Sequence, residues 1–224
     1  MDEHILPETP AVTQPLKGYS IILADPPWSF QNWSAKGAGR GASRHYATMR
    51  LEDICNLPVR EIAARDCALF LWATGPMLPE ALTVLSSWDF QFKTVAFVWT
   101  KGRAERTLFS GKAVEFTGQI GNGYWSRAQT EFVLLGVRGS PKRISKSVRQ
   151  AILSPRTRHS AKPPEIRRRI VDLCGDLPRV ELFARETTPD WVALGDSVDG
   201  LDIRDSLRSE ISKIHTRRTY AEVP

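Results

Sequence analysis

The sequence has few of the residues that build covalent or metal-held sites. It contains 3 cysteines and 4 histidines in 224 residues. Cys55, Cys67 and Cys174 are odd in number, widely spaced and set in apolar runs, which favours reduced core thiols over disulfides or a metal site. The histidines at positions 4, 45 and 215 have no metal-ligand spacing with any cysteine. We therefore expect no metal centre.

Long hydrophobic runs and common cofactor motifs are also missing. No apolar stretch approaches the about 18 residues that span a bilayer, and the N-terminus has no signal-peptide h-region. Neither a Gly-x-Gly-x-x-Gly fingerprint nor a Gly-x-Ser-x-Gly nucleophile motif occurs. Together with the reduced cysteines, these absences lead us to expect a cytoplasmic protein without membrane contact.

Basic charge is concentrated in one stretch, residues 138–169. This stretch holds 11 of the 31 lysines and arginines and a single acid, Glu165, whereas the rest of the chain has 20 basic and 24 acidic residues. A local patch of this kind suits a polyphosphate partner such as nucleic acid, and a solvated loop with the outer face of a helix is an equal alternative. We take Arg143, Lys146 and Arg149 as candidate nucleic-acid contacts.

The periodicity of the apolar residues predicts an α/β domain. Short buried-strand patterns occur at residues 19–24, 68–72, 94–99, 132–137, 180–184 and 191–194. Helical spacing occurs at residues 51–64 with a break at Pro58, at 79–88, and at 163–174, where the three arginines 167–169 fall largely outside the apolar stripe. Strands alternating with helices indicate a three-layer α/β fold with a mostly parallel sheet.

The remaining segments divide the chain into three predicted parts. Residues 1–17 read as a flexible N-terminal tail, 18–200 as one domain, and 201–224 as a C-terminal helix or tail that packs on the domain or forms a dimer contact. Within the domain, residues 29–45, 101–127 and 139–161 are predicted to be long irregular loops. Such loops in a compact domain are usually functional or disordered.

The strongest local motif is Asp25-Pro26-Pro27-Trp28, directly after the first predicted strand. Ligands of open α/β sheets bind beyond the carboxyl ends of the strands. An amine conjugated to an aromatic ring is a poor nucleophile, and a carboxylate and a rigid proline carbonyl could each accept one of its N–H bonds. The tryptophan could stack on the base. The alternative is a rigid turn with a core tryptophan behind it.

Five further motifs accompany this tetrapeptide, at residues 69–75, 123–131, 159–163, 181–185 and 191–195. In sequence and order, the set resembles the DPPW family of S-adenosylmethionine-dependent adenine N6-methyltransferases. That family includes the catalytic subunit of the eukaryotic messenger-RNA methyltransferase and bacterial and phage relatives. The resemblance covers about residues 19–200. It implies a Rossmann-like methyltransferase fold of permuted motif order, in which the catalytic loop precedes the cofactor-binding strand.

The resemblance also implies roles for individual residues. Asp25, Pro26, Pro27 and Trp28 would form the catalytic loop, and Asp25 would also lie against the cofactor. Further positions match substrate-binding residues of the family, namely Tyr46, Trp125, Arg127 and Glu131, and His159 matches an active-site position. The alternatives are a strand-start carboxylate in a surface ion pair for Glu131 and an exposed histidine without a site role for His159. Lys162 and Arg185 would bind the carboxylate of S-adenosylmethionine, and Asp196 with Ser197 its ribose. Eukaryotic relatives carry Asn-Gln in place of Asp196-Ser197, and His-Asn in place of Thr187-Thr188, so the resemblance does not assign the individual hydrogen bonds to the cofactor sugar and base.

The function expected from these features is methyl transfer from S-adenosylmethionine to the N6 amine of adenine in DNA. DNA is favoured because a single compact domain without an added RNA-binding module resembles the bacterial and phage members. RNA is the alternative substrate, and a catalytically silent nucleic-acid-binding subunit is an alternative of another class. A proline-rich docking motif is a third, opposed by the buried strand before it. A homodimer or a partner subunit is compatible with all of these.

Overall fold

An eight-stranded sheet organises the structure, a computed structural model that describes residues 17–29, 48–106, 114–118, 125–157 and 161–221. The strands are β1 Tyr19–Ala24, β2 Ala63–Ala73, β3 Gln91–Arg106, β4 Val114–Gly118, β5 Thr130–Arg138, β6 Ala151–Ser154, β7 Arg179–Leu182 and β8 Val192–Leu194. The helices are α1 Leu51–Cys55, α2 Val59–Ile62, α3 Leu78–Ser87, α4 Glu165–Cys174, α5 Asp196–Asp199 and α6 Ile203–Ala221. A 3₁₀ turn at Gly75–Met77 leads into α3.

The sheet is mixed but mostly parallel. Its strands follow the order β4-β3-β5-β2-β1-β7-β8, and β6 pairs with β3. Parallel pairs join β1 to β2 and β7, β7 to β8, and β3 to β6. Only β4 and β5 run against the other described strands, since β5 is antiparallel to both β2 and β3 and β4 is antiparallel to β3. The predicted mixed α/β class with a mostly parallel sheet is confirmed.

Side-chain alternation along the central strands creates two separate hydrophobic layers. In β1, Ile22 belongs to one buried cluster, and its neighbours Ile21 and Leu23 belong to the other. The first layer holds the buried apolar residues of α1, α2, α3 and α6, and the second holds those of α4. Because successive residues of a strand point to opposite faces, a strand that is apolar throughout needs cover on both faces.

Four of the six predicted strands lie within described strands. The prediction at 180–184 runs two residues past the end of β7, and the one at 191–194 begins one residue before β8. The break at Pro58 is confirmed. Pro58 separates α1 from α2. The irregular loops predicted at residues 101–127 and 139–161 are wrong in part. There β3 continues to Arg106 and pairs with β4, and β6 adds four residues beside β3. Polar residues in the extension of β3 and the shortness of β6 leave too little periodicity for a prediction.

The prediction that the three arginines of α4 lie outside is also wrong in part. Arg168 is exposed, but Arg167 is only 9% exposed. Arg167 donates from Nε and Nη2 to the Glu181 carboxylate at 2.6 and 2.9 Å. Arg169 bonds to Glu165 and to the backbone carbonyls of residues 149 and 151. Part of the positive charge in the basic stretch is therefore used internally.

The C-terminal helix packs on the sheet. Ile203, Leu207 and Ile214 of α6 are buried in the first layer. The buried Glu210 accepts a hydrogen bond of 2.7 Å from the hydroxyl of Tyr19, at the start of β1. The three-part division at residues 17 and 200 stays a prediction. Among the described helices, none combines the length and the apolar character that a membrane span requires.

Candidate active site

The Asp-Pro-Pro-Trp segment forms a rigid corner where β1 ends. The backbone N–H of Trp28 donates to the carbonyl of Pro26 at 2.8 Å, which closes a three-residue turn around Pro27. The carbonyl of Pro27 accepts the N–H of Met49 at 2.9 Å. Because the proline rings fix φ, both carbonyls have defined directions. Each proline carbonyl keeps a second lone pair beyond these bonds.

Trp28 is placed differently from the expected stacking ring. Its side chain is only 5% exposed and belongs to the first hydrophobic layer. Its indole Nε1 donates to the carbonyl of Trp72 at 3.2 Å, which ties the corner to β2. A ring buried in this way has little free face for a base. The geometry therefore favours a supporting role for Trp28 over the stacking role.

Four charged side chains of alternating sign form a chain that starts at Asp25. The ammonium Nζ of Lys162 lies 2.7 Å from Oδ2 of Asp25 and 3.4 Å from Oε2 of Glu131. The other oxygen of Glu131, Oε1, accepts a bond of 2.5 Å from Lys101. All four side chains are mostly shielded from solvent, with exposures of 14 to 22%. We call Asp25, Lys162, Glu131 and Lys101 the charge chain.

Two tryptophans lie beneath the two lysines of the charge chain. Lys162 Nζ is 5.3 Å from the ring centre of Trp72, and Lys101 Nζ is 5.1 Å from that of Trp99. The two rings meet edge to face with centres 6.2 Å apart. Cation–π attraction of this kind holds an ammonium without neutralising it. Sequence reasoning gave no site role to Lys101, Trp72 or Trp99, although Trp72 lies in a matched motif.

The topology explains why these residues meet. The parallel strands β1, β2, β7 and β8 end at one edge of the sheet, here called the carboxyl edge; the opposite edge is the amino edge. Asp25 follows β1, so it lies at the carboxyl edge. Glu131 lies there because β5 runs antiparallel and begins at that edge, where it pairs with Trp99. Lys101 follows Trp99 by two residues on β3.

Burial and charge shift the pKa values of the site in different directions. Burial raises the pKa of the Asp25 carboxyl, and this outweighs the opposing effect of Lys162 and Arg185. Burial alone would lower the pKa of Lys162, but Asp25 and Glu131 outweigh it and raise that pKa. Burial acts to raise the pKa of Glu131, yet Lys162 and Lys101 lower it overall. Burial thus favours the neutral form of Asp25, whereas the two lysines favour the charged form of Glu131.

The expected cofactor-binding residues lie along the same edge. Arg185 follows β7, is exposed, and interacts favourably with the charge of Asp25. Asp196 and Ser197 open α5 just after β8, and both are exposed. Lys162, in contrast, is engaged by two carboxylates of the chain itself. A guanidinium, a carboxylate and a hydroxyl suit the carboxylate and ribose of S-adenosylmethionine, so the donor set at this edge fits the cofactor.

The expected substrate-binding residues are placed in part. Trp125 is 95% exposed and Arg127 is exposed, in the segment that leads into Glu131. The structure thus brings Glu131 to Asp25 through Lys162 and leaves Trp125 and Arg127 at the surface before β5. Tyr46 and His159 lie outside the described residues.

The basic loop after β5 takes a different course. Arg138 at the end of β5 pairs with Cys67 near the start of β2, so the loop begins at the amino edge. The N–H of Ile144 donates to the carbonyl of Leu173 in the last turn of α4. Arg143, beside it, therefore lies far from Asp25, and the chain returns toward the site only through Lys146 and Arg149 to β6. All three cations are exposed.

The cysteines and the acidic residues add no further centre. Cys55, Cys67 and Cys174 are unpaired thiols, and burial raises the pKa of Cys174 to about 11. In the part of the chain that the structure describes, no group of three histidines, cysteines or carboxylates is arranged to hold a metal ion. Fold and site together define a mixed α/β protein with a buried acidic corner and a polar carboxyl edge.

Comparison with known proteins identifies the class. A family model described as MT-A70 matches residues 19–197. The chain is 32% identical over 217 residues to the type II methyltransferase M.MunI of a Mycoplasma species, a match covering 89% of this chain and 86% of that protein. The chain therefore belongs to the MT-A70 family of adenine N6-methyltransferases. The family resemblance found in the sequence is confirmed.

More distant relatives are larger proteins. The human N(6)-adenosine-methyltransferase catalytic subunit METTL3 is 25% identical over 193 residues, which cover 84% of this chain and 29% of that protein. The N6-methyladenosine RNA methyltransferase MTA1 of Pyricularia oryzae is 28% identical over 200 residues, or 83% of this chain and 48% of that protein. The matched region is thus less than half of each of these two relatives.

Proposed function

We propose that the protein transfers the methyl group of S-adenosylmethionine to the exocyclic N6 amine of adenine in DNA, with Asp25 and Pro26 orienting the amine. The observation that most supports this proposal is the rigid corner at the carboxyl edge, in which Lys162 holds the Asp25 carboxylate at 2.7 Å. Family membership supports the reaction, and the position of Arg185, Asp196 and Ser197 supports the cofactor. We also propose the permuted methyltransferase fold, since the corner after β1 precedes β7.

Asp25 has one oxygen available for the amine. Lys162 takes Oδ2, and among the described residues no hydrogen bond to Oδ1 is found. Oδ1 can therefore accept one N–H of the adenine amine, and the second lone pair of the Pro26 carbonyl can accept the other. Two fixed acceptors draw the nitrogen toward tetrahedral geometry and aim its lone pair, so the acceleration comes from positioning and electrostatics.

The bound cofactor would supply an electrophilic methyl group on a sulfonium sulfur. The exposed guanidinium of Arg185 would hold its carboxylate through a bidentate pair. The Asp196 carboxylate would accept hydrogen bonds from ribose hydroxyls, supported by the Ser197 hydroxyl that donates to it at 3.1 Å. Lys162 serves chiefly to keep Asp25 and Glu131 in place. This role replaces the contact with the cofactor carboxylate that the resemblance implies.

Glu131 and the segment before it would contact the nucleotide. The ammonium of Lys162 contacts both Asp25 and Glu131, so a base amine held at Asp25 would lie near Glu131. Trp125 and Arg127 are exposed and precede it directly, where an aromatic face and a guanidinium can meet a base and a phosphate. For Tyr46, closure over the target base stays a prediction. In duplex DNA the adenine must first leave the stack.

DNA is favoured over RNA by the relatives. The match that covers most of both chains is to a type II methyltransferase, which is a DNA methyltransferase, whereas the RNA-directed relatives are matched over less than half their length. A homodimer, a partner subunit and a cytoplasmic location stay predictions.

A labelling assay tests the proposed function. We expect purified protein with methyl-labelled S-adenosylmethionine to label adenine-containing DNA and to yield N6-methyldeoxyadenosine, identified by mass. Double-stranded DNA, single-stranded DNA and RNA are assayed in parallel. Label in RNA alone would establish the alternative substrate. Binding of nucleic acid without any label would favour the catalytically silent subunit, against which the intact Asp25 corner argues.

The pH dependence of activity should report on Lys162. Asp25 must be ionised to accept the amine, and burial already raises its pKa. Removing Lys162 takes away a charge that opposes protonation, so Lys162→Met should move the acid limb of kcat/KM to higher pH by about one unit or more. Lys93→Met, at an exposed lysine of β3, is the control and should leave the limb in place. An unshifted acid limb in Lys162→Met would show that Lys162 does not control the ionisation of Asp25.

The basic loop gives a prediction on nucleic-acid binding. Replacing Arg143, Lys146 and Arg149 together by glutamine should weaken DNA binding. It should also reduce the slope of log K against log salt, by about 0.9 for each phosphate that the variant no longer neutralises. The control replaces Arg204, Arg208 and Lys213 on α6, which removes the same charge elsewhere. Equal slopes for the wild type and the loop variant would assign the loop cations to solubility.

A further inference from the structure

A second concave site lies at the amino edge of the sheet. It is a cavity of about 380 Å³ between α2, the start of β2, the end of β5 and α6. Its charged and titratable lining consists of Arg60, Glu61, Arg65, Arg138, His215 and Arg218. We call it the arginine cavity.

The arginine cavity is separate from the candidate active site. Ala63, at the start of β2, lines it, while the far end of β2 lies beside the corner, where Leu71 pairs with Ala24. At about 3.3 Å per residue, the eight steps from Ala63 to Leu71 span about 26 Å. A ligand in the cavity therefore does not touch the Asp25 corner.

The cationic side chains of the cavity are largely unneutralised. Arg138 donates to the carbonyl of Arg60 at 2.8 Å and lies 3.5 Å from Asp89. For the guanidinium groups of Arg60, Arg65 and Arg218, the described part of the chain provides neither a hydrogen bond nor an ion pair. Four arginines thus share one cavity with a single carboxylate, Glu61. A concave surface of one sign concentrates its field and raises the local concentration of anions.

A second cavity shows how the chain treats surface arginines elsewhere. It measures about 270 Å³ and includes Arg204 and Arg208. There Arg204 pairs with Asp202 and Asp53, and Arg208 pairs with Asp205 at 2.8 Å. Those arginines are satisfied by acids of the chain. In the arginine cavity, by contrast, Arg60, Arg65 and Arg218 have no acidic partner among the described residues.

We propose that the arginine cavity binds a phosphate-group anion. Guanidinium forks match the oxygens of phosphate in pairs, and helix α6 contributes Arg218 and His215 from one side while α2 and β2 contribute Arg60 and Arg65 from the other. Phosphate can reach the cavity from two sources, a free phosphate-type anion or the backbone of a nucleic acid. The chemistry of recognition is the same for both.

Titration with pyrophosphate tests the free-anion source. We expect the wild-type protein to bind pyrophosphate, and Arg60→Gln/Arg218→Gln to bind it at least about tenfold more weakly, because each lost charged hydrogen bond has an effect of that order. The control Arg204→Gln/Arg208→Gln removes the same charge from the second cavity and should bind as the wild type does. Calorimetry gives the affinities, and the imidazole NMR signals of His215 report the location.

A DNA titration over a range of salt concentrations tests the second source. If backbone phosphate fills the cavity, Arg60→Gln/Arg218→Gln should reduce the slope of log K against log salt by about 0.9 for each phosphate that the wild-type cavity binds. The control Arg204→Gln/Arg208→Gln should leave the slope unchanged. If Arg60→Gln/Arg218→Gln weakens pyrophosphate binding but leaves the DNA slope unchanged, the ligand of the cavity is a free anion. The proposal is overturned if both ligands bind the two variants alike. Methyl transfer is not part of either titration, so this outcome is distinct from a failure of the proposed function.

Discussion

Replacing Asp25 by asparagine should lower kcat by about 10²–10³-fold, the effect of removing one preorganised hydrogen-bonding group from an active site. The Lys162 ammonium only donates, so the amide oxygen of the introduced asparagine would turn toward it. The amide NH₂ would then face the adenine amine, where an acceptor is required. Size and packing are conserved, so the loss falls on the oriented amine.

The measurement separates turnover from binding. We expect the Kd of S-adenosylmethionine for Asp25→Asn to stay within about twofold of the wild type, and the drop in kcat to persist at saturating DNA. Asp53→Asn, at an acid on α1 that pairs with Arg50, is the matched control and should retain activity. Asparagine is preferable to alanine, which would leave the buried Lys162 beside an empty space. Near-normal turnover in Asp25→Asn would exclude this carboxylate from the mechanism.

The largest expected effect on stability comes from Arg167→Met. Arg167 and Glu181 form a bidentate pair in which both side chains are only about a tenth exposed. Removing one partner leaves a buried uncompensated charge, at a cost of about 3–5 kcal/mol. For a chain of this size each kcal/mol lowers Tm by about 2–4 °C, so Tm should fall by about 6–20 °C.

The loss should depend on pH, with a sign set by Glu181. Burial raises the pKa of Glu181 in the wild type, and loss of the cation would raise it further. A group whose pKa is higher in the folded state stabilises that state at low pH and loses this contribution as the pH rises through the folded pKa. The difference in Tm between Arg167→Met and wild type should therefore be smaller at about pH 5 than at about pH 8.

A double variant completes this test. Arg167→Met/Glu181→Leu removes both charges, and replacement of a whole buried pair by apolar residues is often close to neutral. We expect it to recover most of the lost stability in thermal unfolding. If Arg167→Met unfolds within about 2 °C of the wild type, the pair contributes little and α4 is held to β7 by its apolar face alone.

Much of the fold followed from local patterns in the sequence. The buried strands, the break at Pro58 and the helix at α4 each depend on residues close together in the chain, so periodicity was sufficient to predict them. The strands β4 and β6 were missed for the opposite reason. A four-residue strand such as Ala151–Ser154 has too few positions to show a period, and it exists because β3 offers an edge to pair with.

The candidate site divides in the same way. The Asp25 corner is local, since one strand end and two prolines define it. The partners of Asp25 are not local, because Lys162 lies 137 residues away and Glu131 arrives through an antiparallel strand whose direction the sequence does not state. The burial of the Trp28 ring, which argues against the expected stacking role, is not local either, because it depends on β2 and the helices that cover it.

The sequence by itself determined the α/β class, the acidic proline corner and the family, because these reside in short segments and their order. Only the tertiary structure decided which charges meet. It placed Lys162 between two carboxylates and buried Arg167 against Glu181. It also gathered Arg60, Arg65 and Arg218 around one cavity. Charge–charge contact depends on distance in space, and the distance between side chains on separate elements is set by how the sheet and helices pack.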